Sequence, residues 1–261
     1  MIKVGCVQLW HDDKETNQDR ITRAEQLVDS AADCDLIVLP ELWYVGVWSY
    51  DVYRESSEPV NGEIVSRFAE KAKKVNAFIL AGSIIERDGN SIYNTAVLLD
   101  PKGNILGTYR KMHLIGAMDA REPEFFKHGE ELVAIKTDLG VLGLSICYDV
   151  RFPEFFRKLA VNHGVEIFLH PTAWPISRLD DYRATCQVRA NENQCFMLSS
   201  DMCGYNRGNP FAGHSAIIDP WGKRLASAGI YERVIKAEID LSEIYQARQM
   251  LPLLKDRRLP V

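Results

Sequence analysis

The chain has 261 residues, of which 46% are hydrophobic and 26% charged, and its formal net charge is −5 at pH 7. This length suits one large domain or two small ones, and the scattered lysines and arginines lack the clustered basic patch of a nucleic-acid-binding protein. No apolar stretch reaches the roughly 18 residues that would span a membrane, and the N-terminal segment lacks the features of a signal peptide. We therefore expect no nucleic-acid or membrane partner and a cytoplasmic location.

Short runs rich in β-branched residues predict strands along the whole chain. These strands lie at residues 2–9, 35–42, 77–85, 93–100, 132–137, 141–148, 166–171, 195–200, 214–219 and 233–239. Apolar residues at helical spacing predict helices between several of them, at residues 17–33, 61–75, 153–163 and 180–193. The alternation of strands and helices indicates the α/β class.

Particular residues mark the ends of some elements. Pro153 suits the first position of the third helix, and Gly164 suits its C-terminal cap. Segments 86–90, 100–104 and 219–223 have the composition of hairpin turns. We therefore predict a mixed sheet, or two sheets, with helices outside. No linker, repeat or low-complexity segment divides the chain, so residues 1–261 are expected to form a single domain.

The cysteines and histidines show no metal-binding spacing. The six cysteines contain no CxxC pair, and the six histidines show no HExxH motif. We therefore expect neither a metal ion nor another cofactor. A cytoplasmic location would keep the cysteines reduced.

An acid, a lysine and a cysteine each stand at the end of a predicted strand or strand-like stretch. Glu41 ends the strand at 35–42 and is costly to bury unpaired, so it lies either at the surface or in a polar pocket. Lys111 follows the strand-like stretch 104–109, where an exposed lysine is the simple alternative. Cys147 ends the apolar run before it, as either a packed residue or a nucleophile. Strand ends are where open α/β sheets build their sites.

Three segments around these residues resemble the signature segments of the carbon–nitrogen hydrolase, or nitrilase, superfamily. They are LPELW (39–43), YRKMHL (109–114) and ICYDVRFPE (146–154), in the family order Glu, Lys, Cys. The later segments 188–196 and 213–223 are also similar, so the resemblance extends from residue 2 to about residue 260. It implies an α-β-β-α sandwich that dimerises into a larger sandwich.

The resemblance also implies a mechanism. Cys147 would be the nucleophile, Glu41 its general base and Lys111 the stabiliser of the thiolate and of the oxyanion. The backbone N–H of Tyr148 would be a second oxyanion donor. The products would be a thioester on Cys147 and ammonia or an amine, after which water releases the acid.

A second glutamate is implied between the lysine and the cysteine. Counting back seven residues from Gly129 gives Glu122, the spacing typical of the ammonia-releasing amidase branches, with a role in positioning Lys111 and the water. Glu124 is an alternative, and either could be a solvated loop charge. The family's proline before that glycine is His128 here, so the loop departs from the family pattern.

Tyr148-Asp149 stands where true nitrilases of this superfamily carry Trp-Glu. This favours an amide, and the segment is similar to the omega-amidase and deaminated-glutathione amidase branches, which act on amides of small carboxylic acids. Arg151 is then predicted to bind the substrate carboxylate, unless it pairs internally with Asp149 or Glu154. Tyr148 is also predicted to bind the substrate. The candidate pocket walls are Trp43, Tyr44, Trp48 and Trp174, with packing in the core as the alternative for each.

Three other functions remain open. One is a nitrile or N-carbamoyl hydrolase of the same superfamily, and another is a non-catalytic binding subunit with a decayed site. The third is a cysteine hydrolase with His163 or His170 as its base, which would leave Glu41 and Lys111 without a role. We also expect at least a homodimer, and the resemblance places its interface on the helices with Phe155, Phe156, Leu159 and Ala160 and with Val188 and Ala190.

Overall fold

The computed structural model describes residues 1–118 and 120–261. Its strands are β1 (Ile2–His11), β2 (Leu36–Val38), β3 (Phe78–Asp88), β4 (Ser91–Leu99), β5 (Ile105–Arg110), β6 (Ala134–Thr137), β7 (Gly140–Leu144), β8 (Ile167–Pro171), β9 (Phe196–Ser200), β10 (Met202–Asn206), β11 (Asn209–Pro210), β12 (Ala216–Ile218), β13 (Arg224–Ser227) and β14 (Arg233–Ile239). Its α-helices are α1 (Asn17–Ser30), α2 (Glu63–Val75), α3 (Glu122–Phe125), α4 (Pro153–Asn162), α5 (Leu179–Asn193) and α6 (Ser242–Met250). Short 3-10 segments lie at Tyr50–Val52, Cys147–Arg151 and Ile176–Arg178.

The strands form two mixed sheets. The first has eight strands in the order β11-β10-β1-β2-β3-β4-β5, with β14 also paired to β1. The second has six strands in the order β13-β12-β9-β8-β7-β6. Strands β1, β2 and β3 run parallel at the centre of the first sheet, and β7, β8 and β9 run parallel at the centre of the second.

Helices cover the outer face of each sheet. Successive strand residues point to opposite faces, so each sheet has one face toward the other sheet and one face toward helices. On β2, Leu36 and Val38 face the core shared with the second sheet. Ile37 faces a separate core that includes the apolar residues of α1 and α2. Helices α4 and α5 contribute Phe156 and Cys186 to the first of these cores. The result is the α-β-β-α sandwich that the family resemblance implies.

The helix ends follow ordinary capping chemistry. Helix α1 begins with a capping box, in which the Thr16 side chain accepts from the Asp19 N–H and Asp19 accepts from the Thr16 N–H. Helix α4 begins at Pro153, as expected, and ends just before Gly164, which has a φ of 68°. Within residues 1–118 and 120–261, no helix combines the length and the apolar composition that a membrane span requires.

Several elements differ from the prediction. The strand predicted at 35–42 ends at Val38, and the one predicted at 141–148 ends at Leu144, because the chain turns sharply before each functional side chain. Strands β10, β11 and β13 and helices α3 and α6 were not predicted.

The apolar residues that were expected at a dimer interface pack inward instead. Phe155, Phe156, Leu159 and Ala160 of α4 are at most 4% exposed and belong to the core of the single chain. Ala190 of α5 is likewise buried, whereas Val188 is 48% exposed. Five of the six named residues are therefore buried within one chain, because the spacing of apolar residues marks the buried side of a helix. An interface on α4 and α5 stays a prediction.

Candidate active site

A cavity of about 480 Å³ opens where strands β2, β7 and β8 end. Its buried wall contains Glu41, Lys111, Glu122 and Cys147, all at most 9% exposed. Its outer part contains Arg151, Arg178 and Arg207. The structure thus brings together the four residues that the sequence predicts to be catalytic.

Glu41 sits in a tight turn between the two sheets. Its backbone N–H donates to the Thr172 carbonyl after β8, at 3.3 Å. The next residue, Leu42, has a φ of 40°, and its N–H donates to Ser83 Oγ at 3.1 Å. The carboxylate Oε1 accepts from Asn94 Nδ2 at 2.8 Å and from Lys111 Nζ at 2.7 Å. A buried charge therefore has two specific donors, as the cost of burial demands.

Lys111 lies between two carboxylates. Its Nζ is 2.7 Å from Glu41 Oε1 and 2.7 Å from Glu122 Oε1, and the residue is only 1% exposed. Burial acts to lower the pKa of Lys111, but Glu122 and Glu41 outweigh it and hold that pKa well above its usual value. The ammonium therefore keeps its charge in a dry site. The alternative of an exposed lysine does not fit this placement.

Glu122 is the first residue of α3, and its two oxygens are both engaged. Oε1 accepts from Lys111, and Oε2 accepts from the Ile115 N–H at 2.8 Å. Burial and then Glu41 raise the pKa of Glu122, with Lys111 opposing. Glu124 instead lies at the surface and pairs with Arg121 at 2.5 Å. Of the two candidate glutamates, the structure brings Glu122 to the site.

Cys147 holds a strained backbone conformation at the start of the 3-10 segment after β7. Its φ is 44°, in the left-handed region that side chains other than glycine avoid. The turn is fixed by Asp149, whose Oδ2 accepts from the Ile146 N–H and from the Tyr109 hydroxyl, each at 2.8 Å. A sharp turn after a strand is how a nucleophile elbow exposes its reactive atom.

Neighbouring groups shift the pKa of the Cys147 thiol in opposite directions, and those that raise it prevail. Burial and then Glu41 raise the pKa of the Cys147 thiol well above its usual value, and Lys111 opposes them. Thr172 and Ala173, which directly follow β8, also act to lower that pKa. The resting residue is therefore a thiol, and attack requires a base. Glu41 is the neighbouring carboxyl group that can take the proton.

Two predicted pocket walls are in place and two are not. Trp174 lines the cavity, and its Nε1 donates to the Arg178 carbonyl at 2.8 Å. Trp48 lines the cavity and stacks on Phe211. Tyr44 and Trp43 belong to the core under the first sheet. For Tyr44 the expectation was wrong, because its hydroxyl faces inward and accepts from the Ile85 N–H at 3.1 Å.

Tyr148 and Arg151 also line the cavity. Arg151 Nη2 lies 3.3 Å from Asp181 Oδ2, and its guanidinium is 4.9 Å from the centre of the Trp174 ring. Neither internal partner considered from the sequence holds it. Asp149 is instead 2.7 Å from His113 Nδ1.

The two candidate histidine bases lie away from this chemistry. His163 is exposed at the C-terminal end of α4. His170 is fully buried in β8, with Nδ1 2.9 Å from Ser145 Oγ. Burial and then Lys111 lower the pKa of His170 to about 3, which makes it a poor base. Neither histidine lines the cavity.

Sequence reasoning missed other residues of the site, among them Asn94, Thr172, Tyr50 and Arg178. Thr172 directly follows a central parallel strand, which is a usable signal. Asn94 lies inside β4 and carries no signal of its own. Within residues 1–118 and 120–261, no group of three or more His, Cys, Asp or Glu side chains could hold a metal ion.

Comparison with known proteins gives consistent matches over nearly the whole chain. A family model described as carbon–nitrogen hydrolase matches residues 3–249. The chain is 36% identical to the 2-oxoglutaramate amidase of Paenarthrobacter nicotinovorans, over 98% of this chain and 90% of that protein. It is 32% identical to the omega-amidase NIT2 of Danio rerio, over 92% of this chain and 89% of that protein.

A solved structure confirms the fold. Nit3 of Saccharomyces cerevisiae, a member of branch 10 of the nitrilase superfamily, matches with a TM-score of 0.89 and 30% identity. The match covers 99% of this chain and 97% of that one. The sandwich that the family resemblance implies is therefore confirmed.

Proposed function

This chain belongs to the carbon–nitrogen hydrolase family, and from that premise we propose that it hydrolyses the terminal amide of a small carboxylic acid. The observation that carries the proposal is Lys111, held 2.7 Å from both Glu41 and Glu122 in the cavity wall that also contains Cys147. The 2-oxoglutaramate amidase relative supports an acid amide as the substrate.

The proposed reaction begins at the sulfur. Glu41 takes the proton of Cys147 as the sulfur attacks the amide carbon. The oxyanion that forms accepts from Lys111 Nζ and from the Tyr148 N–H, and each such donor typically contributes about 10²–10³ in rate. Glu41 returns the proton to the nitrogen, ammonia leaves, and a thioester remains on Cys147.

Water completes the cycle. Glu41 takes a proton from water as the water oxygen attacks the thioester carbon, and the same oxyanion donors serve again. The carbon–sulfur bond breaks, the acid leaves, and Cys147 regains its proton. Glu122 acts as a positioning residue, because it fixes Lys111 through Oε1 and the loop at Ile115 through Oε2.

We propose that Arg151 makes the protein prefer substrates that carry a free carboxylate. It lines the cavity and is 28% exposed in its side chain, so a carboxylate entering from solvent can reach it. A hydrogen bond to a charged group contributes about 1.5–3 kcal/mol, equivalent to roughly 10- to 100-fold. Arg151→Ala should reduce the preference for an acid amide over its methyl ester, mainly through KM.

An ammonia-release assay tests the reaction class. The panel contains 2-oxoglutaramate, succinamic acid, an aliphatic nitrile and an N-carbamoyl amino acid. We expect the two acid amides to be hydrolysed fastest. Preference for the nitrile or the N-carbamoyl compound would identify a different branch of the family. No turnover of any compound by folded protein would favour a non-catalytic binding subunit.

The proposal extends to the compartment of the protein and to its oligomeric state. We propose a cytoplasmic protein, because its six cysteines are free and buried, as a reducing compartment allows. We also propose a homodimer. Its support is the family resemblance together with an exposed apolar pair, Val188 on α5 and Trp221 in the neighbouring turn, which are 48% and 44% exposed.

A further inference from the structure

The outer part of the cavity contains two arginines that share one carboxylate. Asp181 Oδ2 is 3.3 Å from Arg151 Nη2 and 3.8 Å from Arg178 Nη1. Both arginines line the cavity. This cluster of three carries a net charge of +1, because one carboxylate cannot neutralise two guanidinium groups.

The remaining arginine of the cavity is already neutralised. Arg207 Nη2 lies 2.7 Å and 2.6 Å from the two oxygens of Asp51. The buried wall, by contrast, holds Glu41 and Glu122 against the single charge of Lys111. The surplus positive charge of the cavity is therefore confined to Arg151 and Arg178, away from the acidic wall.

One tryptophan fixes both arginines. The Trp174 ring lies under Arg151, and its Nε1 donates to the Arg178 carbonyl. The Trp174 N–H in turn donates to Asp201 Oδ1 at 2.8 Å, inside the protein. The two guanidinium groups therefore extend from an anchored segment, which reduces the entropy lost when they bind a ligand.

We propose that Arg178 acts with Arg151 as a second ligand of the substrate carboxylate, and that Asp181 competes with that carboxylate for both arginines. The inference rests on the proposed function and adds to it the residues that select the carboxylate of the substrate. That carboxylate binds the arginine pair, while the substrate amide meets the acidic wall at Cys147. Arg178 is thus a specificity-determining residue.

The first experiment compares Arg178→Gln with Arg224→Gln. Arg224 is exposed on β13 and does not line the cavity, so its replacement removes the same charge elsewhere. The readout is the ratio of kcat/KM for succinamic acid to that for methyl succinamate, measured by ammonia release. We expect Arg178→Gln to lower this ratio about tenfold through KM, since one exposed charged contact is worth about one decade. Equal ratios in the two variants would overturn the inference.

The second experiment compares Asp181→Asn with Asp180→Asn, its exposed neighbour in the first turn of α5. Removing the competing carboxylate raises the net charge of the cluster to +2, so the ratio should rise several-fold in Asp181→Asn alone. A fall, or an equal change in both variants, would contradict the competing role of Asp181.

The same data separate the inference from the proposed function. If the wild type releases ammonia from both substrates without preferring the acid, the proposed acid specificity fails and the inference fails with it. If the wild type prefers the acid and Arg178→Gln behaves like Arg224→Gln, the function stands and only the inference is wrong. Melting temperatures of all four variants within a few degrees of the wild type establish that each is folded.

Discussion

At the scale of single residues, Cys147 is held between neighbours that pull its proton in opposite directions. Burial and Glu41 favour the thiol, while Lys111, Thr172 and Ala173 favour the thiolate. We expect Cys147→Ala to abolish ammonia release while leaving the fold intact, because no other described cysteine lines the cavity. Activity and circular dichroism measure the two effects. Cys186→Ala, in the core, is the control, and unchanged turnover in folded Cys147→Ala would refute the covalent mechanism.

Lys111 is expected to matter for stability as well as catalysis. Lys111→Met leaves Glu41 and Glu122 facing each other without a cation, and breaking such a buried pair costs about 3–5 kcal/mol. Urea unfolding should show most of this loss. Glu41→Gln should lose activity with a much smaller change in stability, because Lys111 still forms its ion pair with Glu122. Equal stability of Lys111→Met and the wild type would contradict the buried ion pairs.

His170 should make the protein sensitive to acid. Its pKa is about 3 in the folded chain and about 6.5 when unfolded, so the unfolded state binds a proton first as the pH falls. The contribution of neutral His170 to the free energy of unfolding is fully present above about pH 6.5. It decreases by about 1.4 kcal/mol per pH unit from there down to the folded pKa of about 3.

The comparison is the free energy of unfolding at pH 7.5 and pH 5. Between these pH values, the free energy of unfolding of the wild type should fall by about 2 kcal/mol because of His170. The fall in His170→Gln should be about 2 kcal/mol smaller than in the wild type. His163→Gln, at the exposed end of α4, should keep the full loss. An identical pH dependence in all three proteins would show that His170 does not titrate as described.

Residue chemistry was predictable from the sequence where a motif carried it. Glu41, Lys111 and Cys147 stand in ordered signature segments, and the structure brings their side chains together. Tyr44 was wrong because the sequence does not reveal which aromatic residues of a loop face inward. Asn94 escaped notice because it lies inside β4 and reaches Glu41 only in the folded sheet. Thr172 was missed although its place after a central parallel strand was a usable signal.

At the scale of elements, β3 must bend to admit the Glu41 turn. Gly82 has a φ of 71°, and a Cβ atom there would lie 1.9 Å from the Pro40 carbonyl oxygen. Gly82→Ala should therefore cost at least about 2 kcal/mol and displace Glu41, so kcat should fall as well. Gly89→Ala is the control, since its φ is 58° but no atom lies within 4 Å of the added Cβ. Equal losses in the two variants would show that only backbone strain matters.

Element prediction succeeded for regular stretches and failed at the site. The strand at 35–42 was predicted too long, because Pro40 and the turn at Leu42 end pairing early. Helix α3 was missed, since four residues provide too little periodicity to detect. The irregular segments that carry Glu41, Glu122 and Cys147 are fixed by contacts distant in sequence.

At the scale of the whole molecule, assembly can be tested at one patch. Gln187 and Asn191 of α5 donate to the carbonyls of Gly222 and Trp221, which holds the Trp221 turn beside Val188. Light scattering should give about twice the chain mass of 29.6 kDa. Val188→Glu should return the mass to one chain, whereas Leu225→Glu on β13 serves as the exposed apolar control. A wild-type mass of one chain at micromolar concentration would exclude the dimer.

The left-handed backbone conformation of Cys147 means that the residue needed for catalysis lowers the thermal stability of the protein. Glycine accepts this conformation freely, whereas a side chain pays roughly 1–2 kcal/mol for it. A Cys147→Gly chain should therefore melt no lower than the wild type although it is inert. Laboratory evolution of this protein for heat tolerance alone would then favour descendants without a nucleophile, so every round of selection must also demand turnover.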